Sequence, residues 1–277
     1  LKIRFRFGTT KMATAKRSVF DVDDYVWPNL WREADDMLQA SLLIYPFTKL
    51  RQLAREGKLK GTDNVLTLPV TAKCALEMIK DNVDSLKDQM EDEDIQMCLG
   101  ALKSMNERHQ KSMEAQSKQS NGMLKSALTF LSDKVKMING ETFYADTTLV
   151  AFGDQDHENE LVYAVGIDNV HKRITVCFRG SVTQADFITD AWIQMQSKLN
   201  PLAGCSDQEN TVKIHCGFFT YLLGRPEKDS AGVATRSGGS NKFEEIMNHV
   251  VNLIHDYPNY KLYVTGHSLG GALATLF

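Results

Sequence analysis

Apolar positions recur along this chain with two periods, and the change from one to the other falls near residue 140. Before it, apolar residues return roughly every three to four positions over 31–45, 71–90, 92–117 and 123–137, which predicts helices. Gly61-Thr62-Asp63, the acidic run 91–94 and Gln119-Ser120-Asn121-Gly122 punctuate them. After it come short runs rich in β-branched and aromatic residues at 143–152, 161–167, 173–178 and 261–265, which read as buried strands. Between the last two, Asn241 and Glu244 have capping-box spacing and predict a helix running to about 256, with Pro258 helping to close it. Residues 203–240 carry Gly204, Gly224, Gly232, Gly238 and Gly239 and read as an irregular loop. Strands that alternate with helices, after a helical first half, predict the α/β class: a mixed, largely parallel sheet preceded by a mostly helical region.

The sharpest local signal is Gly266-His267-Ser268-Leu269-Gly270, set between the 261–265 strand and the small-residue run 271–277. Strand, G-x-S-x-G and helix in that order make a nucleophile elbow, a turn tight enough to strain its own backbone and lift a serine hydroxyl clear of the sheet. Gly266 and Gly270 are expected because a Cβ at either would collide where strand and helix cross. Ser268 is the candidate nucleophile. The N–H of Leu269, at the start of a helix, is a candidate oxyanion donor. A second donor must come from the end of a neighbouring strand, and Ser181, after Arg179-Gly180, is placed to offer its N–H and hydroxyl. Ser181 could equally cap a following helix, although Thr183 and Asp186 have capping-box spacing by themselves. His215 precedes the serine, whereas the order in this type of site is Ser, then Asp or Glu, then His, so a structural role is expected for it.

Four stretches together, FRGS at 178–181, DFITD at 186–190, HCGFF at 215–219 and VTGHSLGGA at 264–272, resemble the class 3 lipases, the fungal-type triacylglycerol lipase family. The resemblance covers roughly residues 140–277, with the helix around 33–45 as a candidate earlier piece. It implies an α/β-hydrolase fold, ester hydrolysis without a cofactor or metal, and acyl-glycerol or related lipid substrates. It also implies Ser268 as nucleophile, with Ser181 and Leu269 at the oxyanion hole, and His267 inside the elbow. The helix after the oxyanion serine often serves as a mobile lid in this family. Here Phe187, Ile188, Ala191, Trp192 and Met195 recur at helical spacing. Phe187, Ile188 and Trp192 would then meet a lipid–water interface, unless the stripe simply faces the core.

In the family the triad aspartate and histidine both lie well beyond the elbow, and this sequence ends nine residues after Ser268. It therefore reads as a basic arm (1–20), a helical insertion or subdomain (21–140) and the front part of a class 3 lipase domain (141–277). By itself it is expected to be inactive, since loss of the triad base costs on the order of 10⁶ in kcat. Three functions are compatible with these residues. One is a serine esterase acting on acyl lipids through an acyl-enzyme. Another is an acyl hydrolase or acyltransferase on galactolipid, phospholipid or another ester. The third is a lipase-like lipid-binding or interaction scaffold without catalysis.

Composition narrows the surroundings. The net charge of −3 argues against a nucleic-acid partner. The longest apolar run, 37–47, is broken by Gln39 and Ser41 and is too short to span a bilayer. Five cysteines, odd in number and unpatterned, read as reduced thiols rather than a disulfide framework, with Cys177 a small buried residue of a core strand. The sequences at 21–24 and 154–158 both fail the calcium-loop pattern. The first twenty residues hold six basic and no acidic side chains, and no N-x-S/T sequon occurs anywhere. The basic stretch resembles the tail of an organellar transit peptide or, equally, a solvated arm that touches anionic lipid, and the missing sequon favours an intracellular or organellar location over secretion.

Overall fold

The computed structural model describes residues 30–61, 63–119, 136–138, 141–143, 147–155, 161–181, 195–200, 210–224 and 241–277. The helical first half holds α1 (Leu30–Arg55), α2 (Asp63–Leu66), α3 (Ala72–Asp81), α4 (Val83–Lys87) and α5 (Asp92–Gln119), with the two-residue strand β1 (Val70–Thr71) among them. Then follow β2 (Lys136–Ile138), β3 (Glu141–Phe143), β4 (Thr148–Gly153), β5 (Tyr163–Asp168), β6 (Arg173–Phe178), β7 (Met195–Leu199) and β8 (Thr211–His215). The chain closes with α6 (Cys216–Leu223), α7 (Lys242–Asp256), β9 (Lys261–Gly266) and α8 (Leu269–Leu276).

Five strands form one mixed sheet in the order β1-β4-β5-β6-β9. Short connections make β4–β5 and β5–β6 antiparallel, and β1 pairs antiparallel with β4. A parallel pair needs a long crossover. Among the described residues one exists, from β6 over α6 and α7 to β9, so the expected parallel character is confined to β6–β9. The strand alternation sends side chains to two different cores. Tyr163, Val165, Ile174, Val176 and Phe178 pack with Leu222, Ile246, Val250 and Leu273 of α6, α7 and α8. Cys177, Phe152 and Val162 pack instead with Ile44, Phe47, Leu50, Leu76, Ile79 and Leu102 of α1, α3 and α5. Helices thus cover both faces, and α1 lies against β6 and β9, under the end of the sheet that carries the elbow.

Several elements depart from the sequence reading. The helix expected to stop at 45 runs on through Pro46 to Arg55. Proline removes a backbone donor, but Phe47, Leu50, Leu53 and Ala54 beyond it are all buried. Arg51 is also tied to buried Asp154 through Nε at 2.8 Å, and Arg55 shares the same carboxylate. The expected 71–90 helix breaks at Asn82. Its side-chain oxygen accepts the Lys60 N–H at 2.7 Å, while its amide donates to the carbonyls of Lys60 and Met78 at 2.8 Å. Of the expected 123–137 helix, residues up to 135 lie outside the described residues, and Met137 sits in β2, paired with Thr142 of β3. The expected 143–152 strand is divided between β3 and β4, which belong to different sheets. Met195, read on a helical stripe, lies in β7, hydrogen-bonded antiparallel to β8. That strand is held by its partner, since its own side chains alternate between exposed and half-buried. The 241–256 helix forms as expected, with both halves of the capping box made.

Candidate functional site

The site grows from one pairing. β6 and β9 run parallel with Phe178 opposite Gly266, so the loops leaving them, Arg179-Gly180-Ser181 and His267-Ser268-Leu269, emerge side by side. The Ser268 backbone has φ 55° and ψ −122°, in the left-handed half of conformational space that side chains rarely enter. Gly270 and Gly271 donate to the carbonyls of His267 and Ser268 at 2.9 Å each, turning the chain directly into α8. The two elbow glycines are fixed by contact. A Cβ on Gly266 would lie 2.2 Å from the Gly270 carbonyl, and one on Gly270 would lie 2.2 Å from the Phe178 oxygen. With helix and strand crossing this closely, Ser268 is left exposed at the outer end of the turn.

Gly180 seals the other side. A Cβ there would fall 2.5 Å from the His267 carbonyl oxygen, 2.5 Å from the Tyr45 hydroxyl and 3.2 Å from the Ser268 Cβ. This places the start of the Ser181 loop against the serine. Tyr45, from the middle of α1, accepts the Gly180 N–H at 3.0 Å and lies 3.2 Å from the His267 Nδ1. With one proton and two lone pairs, the Tyr45 hydroxyl either donates to Nδ1 of an Nε2–H imidazole or accepts from Nδ1–H. The rings of Tyr45 and His267 meet edge to face at 6.0 Å. Burial raises the Tyr45 pKa, opposed by the Gly180 N–H and the Arg179 charge, so the hydroxyl is neutral and able to donate. The same low-dielectric surroundings push the Cys177 thiol up to about 12, which keeps it an unreactive thiol rather than a second nucleophile.

Of the residues singled out from sequence, Gly266, His267, Ser268, Leu269 and Gly270 form the turn, and Gly180-Ser181 stands beside it. Phe187, Ile188 and Trp192 lie outside the described residues. His215 is held elsewhere: its Nδ1 caps α6 by accepting the N–H groups of Gly217 and Phe218 at 3.1 and 3.4 Å, and its ring stacks on Phe218 at 4.3 Å. His171 is likewise engaged, 2.8 Å from Asp168, and His255 lies 3.1 Å from Asp256. Sequence reasoning missed Tyr45, whose partners are 135 and 222 positions away. Among the described residues no cluster of His, Cys, Asp or Glu is placed to hold a metal ion, the four described cysteines are free, and no helix is long and apolar enough to cross a membrane.

Residues 175–277 match the family described as Lipase (class 3). A lipase of Caenorhabditis elegans is 30% identical over 110 residues, which cover 40% of this chain and 24% of that protein. Among solved structures, the nonglycosylated LIP2 lipase of Yarrowia lipolytica aligns with 26% identity over 47% of this chain and 40% of its own, at a TM-score of 0.35. A triacylglycerol lipase from Penicillium expansum aligns with 29% identity over 47% of this chain and 42% of its own, at a TM-score of 0.34. The chain therefore spans about a quarter of the length of its Caenorhabditis elegans relative. The matched stretch opens in β6 and ends in α8, taking in the Gly180-Ser181 loop and the whole elbow. The resemblance to class 3 lipases is therefore carried by residues 175–277, the stretch that matches that family.

Proposed function

We propose that Ser268 is the nucleophile of a carboxylic ester hydrolase acting on acyl lipids. The Ser268 oxygen attacks the ester carbonyl, its proton passes to a base, and the alcohol leaves with a proton from that base. Water then attacks the acyl-serine and releases the carboxylic acid. The oxyanion that forms at each stage is met by the N–H of Leu269 and by Ser181. A single donor of this kind is typically worth about 3–4 kcal/mol of transition-state stabilisation. The observation that carries this reading is the strained Ser268 backbone, held between two glycines that admit no Cβ and closed off by a third. Strain at an exposed serine has a use when the hydroxyl must be presented.

The base is a histidine oriented by a carboxylate, supplied in the order Ser, Asp, His. His171, His215, His255 and His267 bond to Asp168, the start of α6, Asp256 and Tyr45, and the base proposed for Ser268 is none of these four. From their helical spacing in the sequence we propose a lid role for Phe187, Ile188 and Trp192 at a lipid–water interface, and Trp192 fluorescence should change when lipid droplets are added to the full-length protein. Fatty-acid release from emulsified triacylglycerol, phospholipid and galactolipid by the full-length protein tests the reading. Ser268→Ala should lower kcat by about 10⁶ on whichever ester is cleaved. Hydrolysis that survived this substitution would overturn it, and complete inactivity of the full-length protein would leave only a scaffold.

A further inference from the structure

The two faces of β5 and β6 are filled very differently. Toward α7 and α8 they present Tyr163, Val165, Ile174 and Val176. Toward α1 the same strands present Ala164, Gly166 and Thr175, all only half-buried despite the helix above them. Nothing in the backbone demands such small residues at that face. A Cβ on Gly166 would meet only the Thr148 carbonyl oxygen, at 3.4 Å, an ordinary contact. What the small residues leave is a cavity of about 160 Å³ beneath α1, bounded by α3, α5 and β4–β6. It runs along β6 from Arg173 to Cys177, roughly 13 Å of strand, and none of its lining residues belongs to the elbow. Most of its wall is apolar. For scale, a dry apolar cavity of about 150 Å³ is enough to bind benzene.

One end is polar, with two guanidinium groups and two carboxylates. Arg108 and Arg173 share a single carboxylate, Asp36, at 2.6 and 3.0 Å. The Arg173 side chain is 4% exposed, and Arg108, at 27%, stands at the rim with further N–H groups to give. Asp168 also lines the cavity, but its oxygens are taken by the His171 ring and by the N–H groups of Val170 and His171. Arg108 and Arg173 thus balance Asp36 and Asp168 in charge, and with the oxygens of Asp168 taken it is the remaining guanidinium N–H groups, those of Arg108 above all, that this end of the hydrocarbon-lined trough offers to an acceptor.

We infer that this cavity is a binding site for a monocarboxylate with a medium-length hydrocarbon tail, the tail lying along β6 and the carboxylate facing Arg108 and Arg173. The site does not depend on Ser268 chemistry, and binding can be read without any activity. Calorimetric titration with octanoate should show one saturable site, acetate should not bind, and octanol should bind at least tenfold more weakly than octanoate. Ala164→Leu should remove binding by filling the trough. Arg108→Gln should weaken octanoate at least tenfold and leave octanol unchanged, and Ser268→Ala should alter neither. If Ala164→Leu does not fold, Gly166→Ala, whose added methyl group the backbone accommodates, should still weaken octanoate several-fold. The proposal is overturned if octanoate fails to saturate, if its binding survives the filled trough, if octanol binds as tightly as octanoate, or if Ser268→Ala abolishes it.

Discussion

At Ser268 the chain keeps a serine where glycine would be more comfortable. A non-glycine residue held at φ 55° and ψ −122° costs about 1–3 kcal/mol, while glycine brings an entropic cost of about 0.5–1 kcal/mol. Ser268→Gly should therefore stabilise the fold by about 1 kcal/mol, seen as a higher urea midpoint with an unchanged slope. An equal or lower midpoint would mean that the turn is not strained. The neighbouring glycines follow the opposite logic, because their limit is space: Gly266 and Gly270 face backbone atoms at 2.2 Å. Both arguments were legible in the sequence, since an elbow is a five-residue device whose constraints are local. The role of Gly180 was not. It depends on a tyrosine hydroxyl brought in from α1 and on the carbonyl of a residue 87 positions further on, His267.

Among the elements, α1 joins the helical half to the site. Tyr45 ties it to both loops, and Thr265 in β9 bonds the Met37 carbonyl at 3.2 Å. Tyr45→Phe strips the Gly180 N–H of its acceptor and should cost about 1–3 kcal/mol, with faster amide exchange at Gly180. A change within about 0.5 kcal/mol and no gain in exchange would make Tyr45 an incidental neighbour. α7 and β6 were readable because each carries its own signal, a capping box in one and a β-branched apolar run in the other. α1 beyond Pro46 was not, because burial of Phe47, Leu50 and Leu53 and the Arg51–Asp154 pair outweigh a local breaker, and those partners are remote in sequence. β7 failed for a related reason: its strand character comes from pairing with β8, while its sequence also fits a helical stripe. The β2–β3 pair did leave a signal in the sequence, since the dipeptide Asn139-Gly140, favoured in two-residue hairpin loops, lies between them.

Over the whole molecule, one charge cluster links stability to pH. Burial alone would raise the Asp168 pKa, but the hydrogen bond and charge of His171, its backbone N–H and the charge of Arg173 together hold the carboxyl below the usual aspartate range. The native state then binds fewer protons than the unfolded chain, whose aspartates titrate near about 3.9. Asp168 thus contributes stability above that pH and loses it as the pH falls through the lower folded value. Asp168→Asn should be less stable than the parent at neutral pH, and the difference should shrink toward zero in strong acid, as measured by denaturant unfolding at a series of pH values. A difference that stayed constant with pH would contradict this assignment.

The claim on which the functional account turns is that Ser268 is a built nucleophile awaiting its base. Fluorophosphonate labelling followed by peptide mapping, on the full-length protein and on residues 1–277 made alone, tests it most directly. The account predicts one label, on Ser268, in the full-length protein, at least a thousandfold slower labelling in residues 1–277, and none in Ser268→Ala. A full-length protein that stays unlabelled, or takes the probe on another residue, would contradict it.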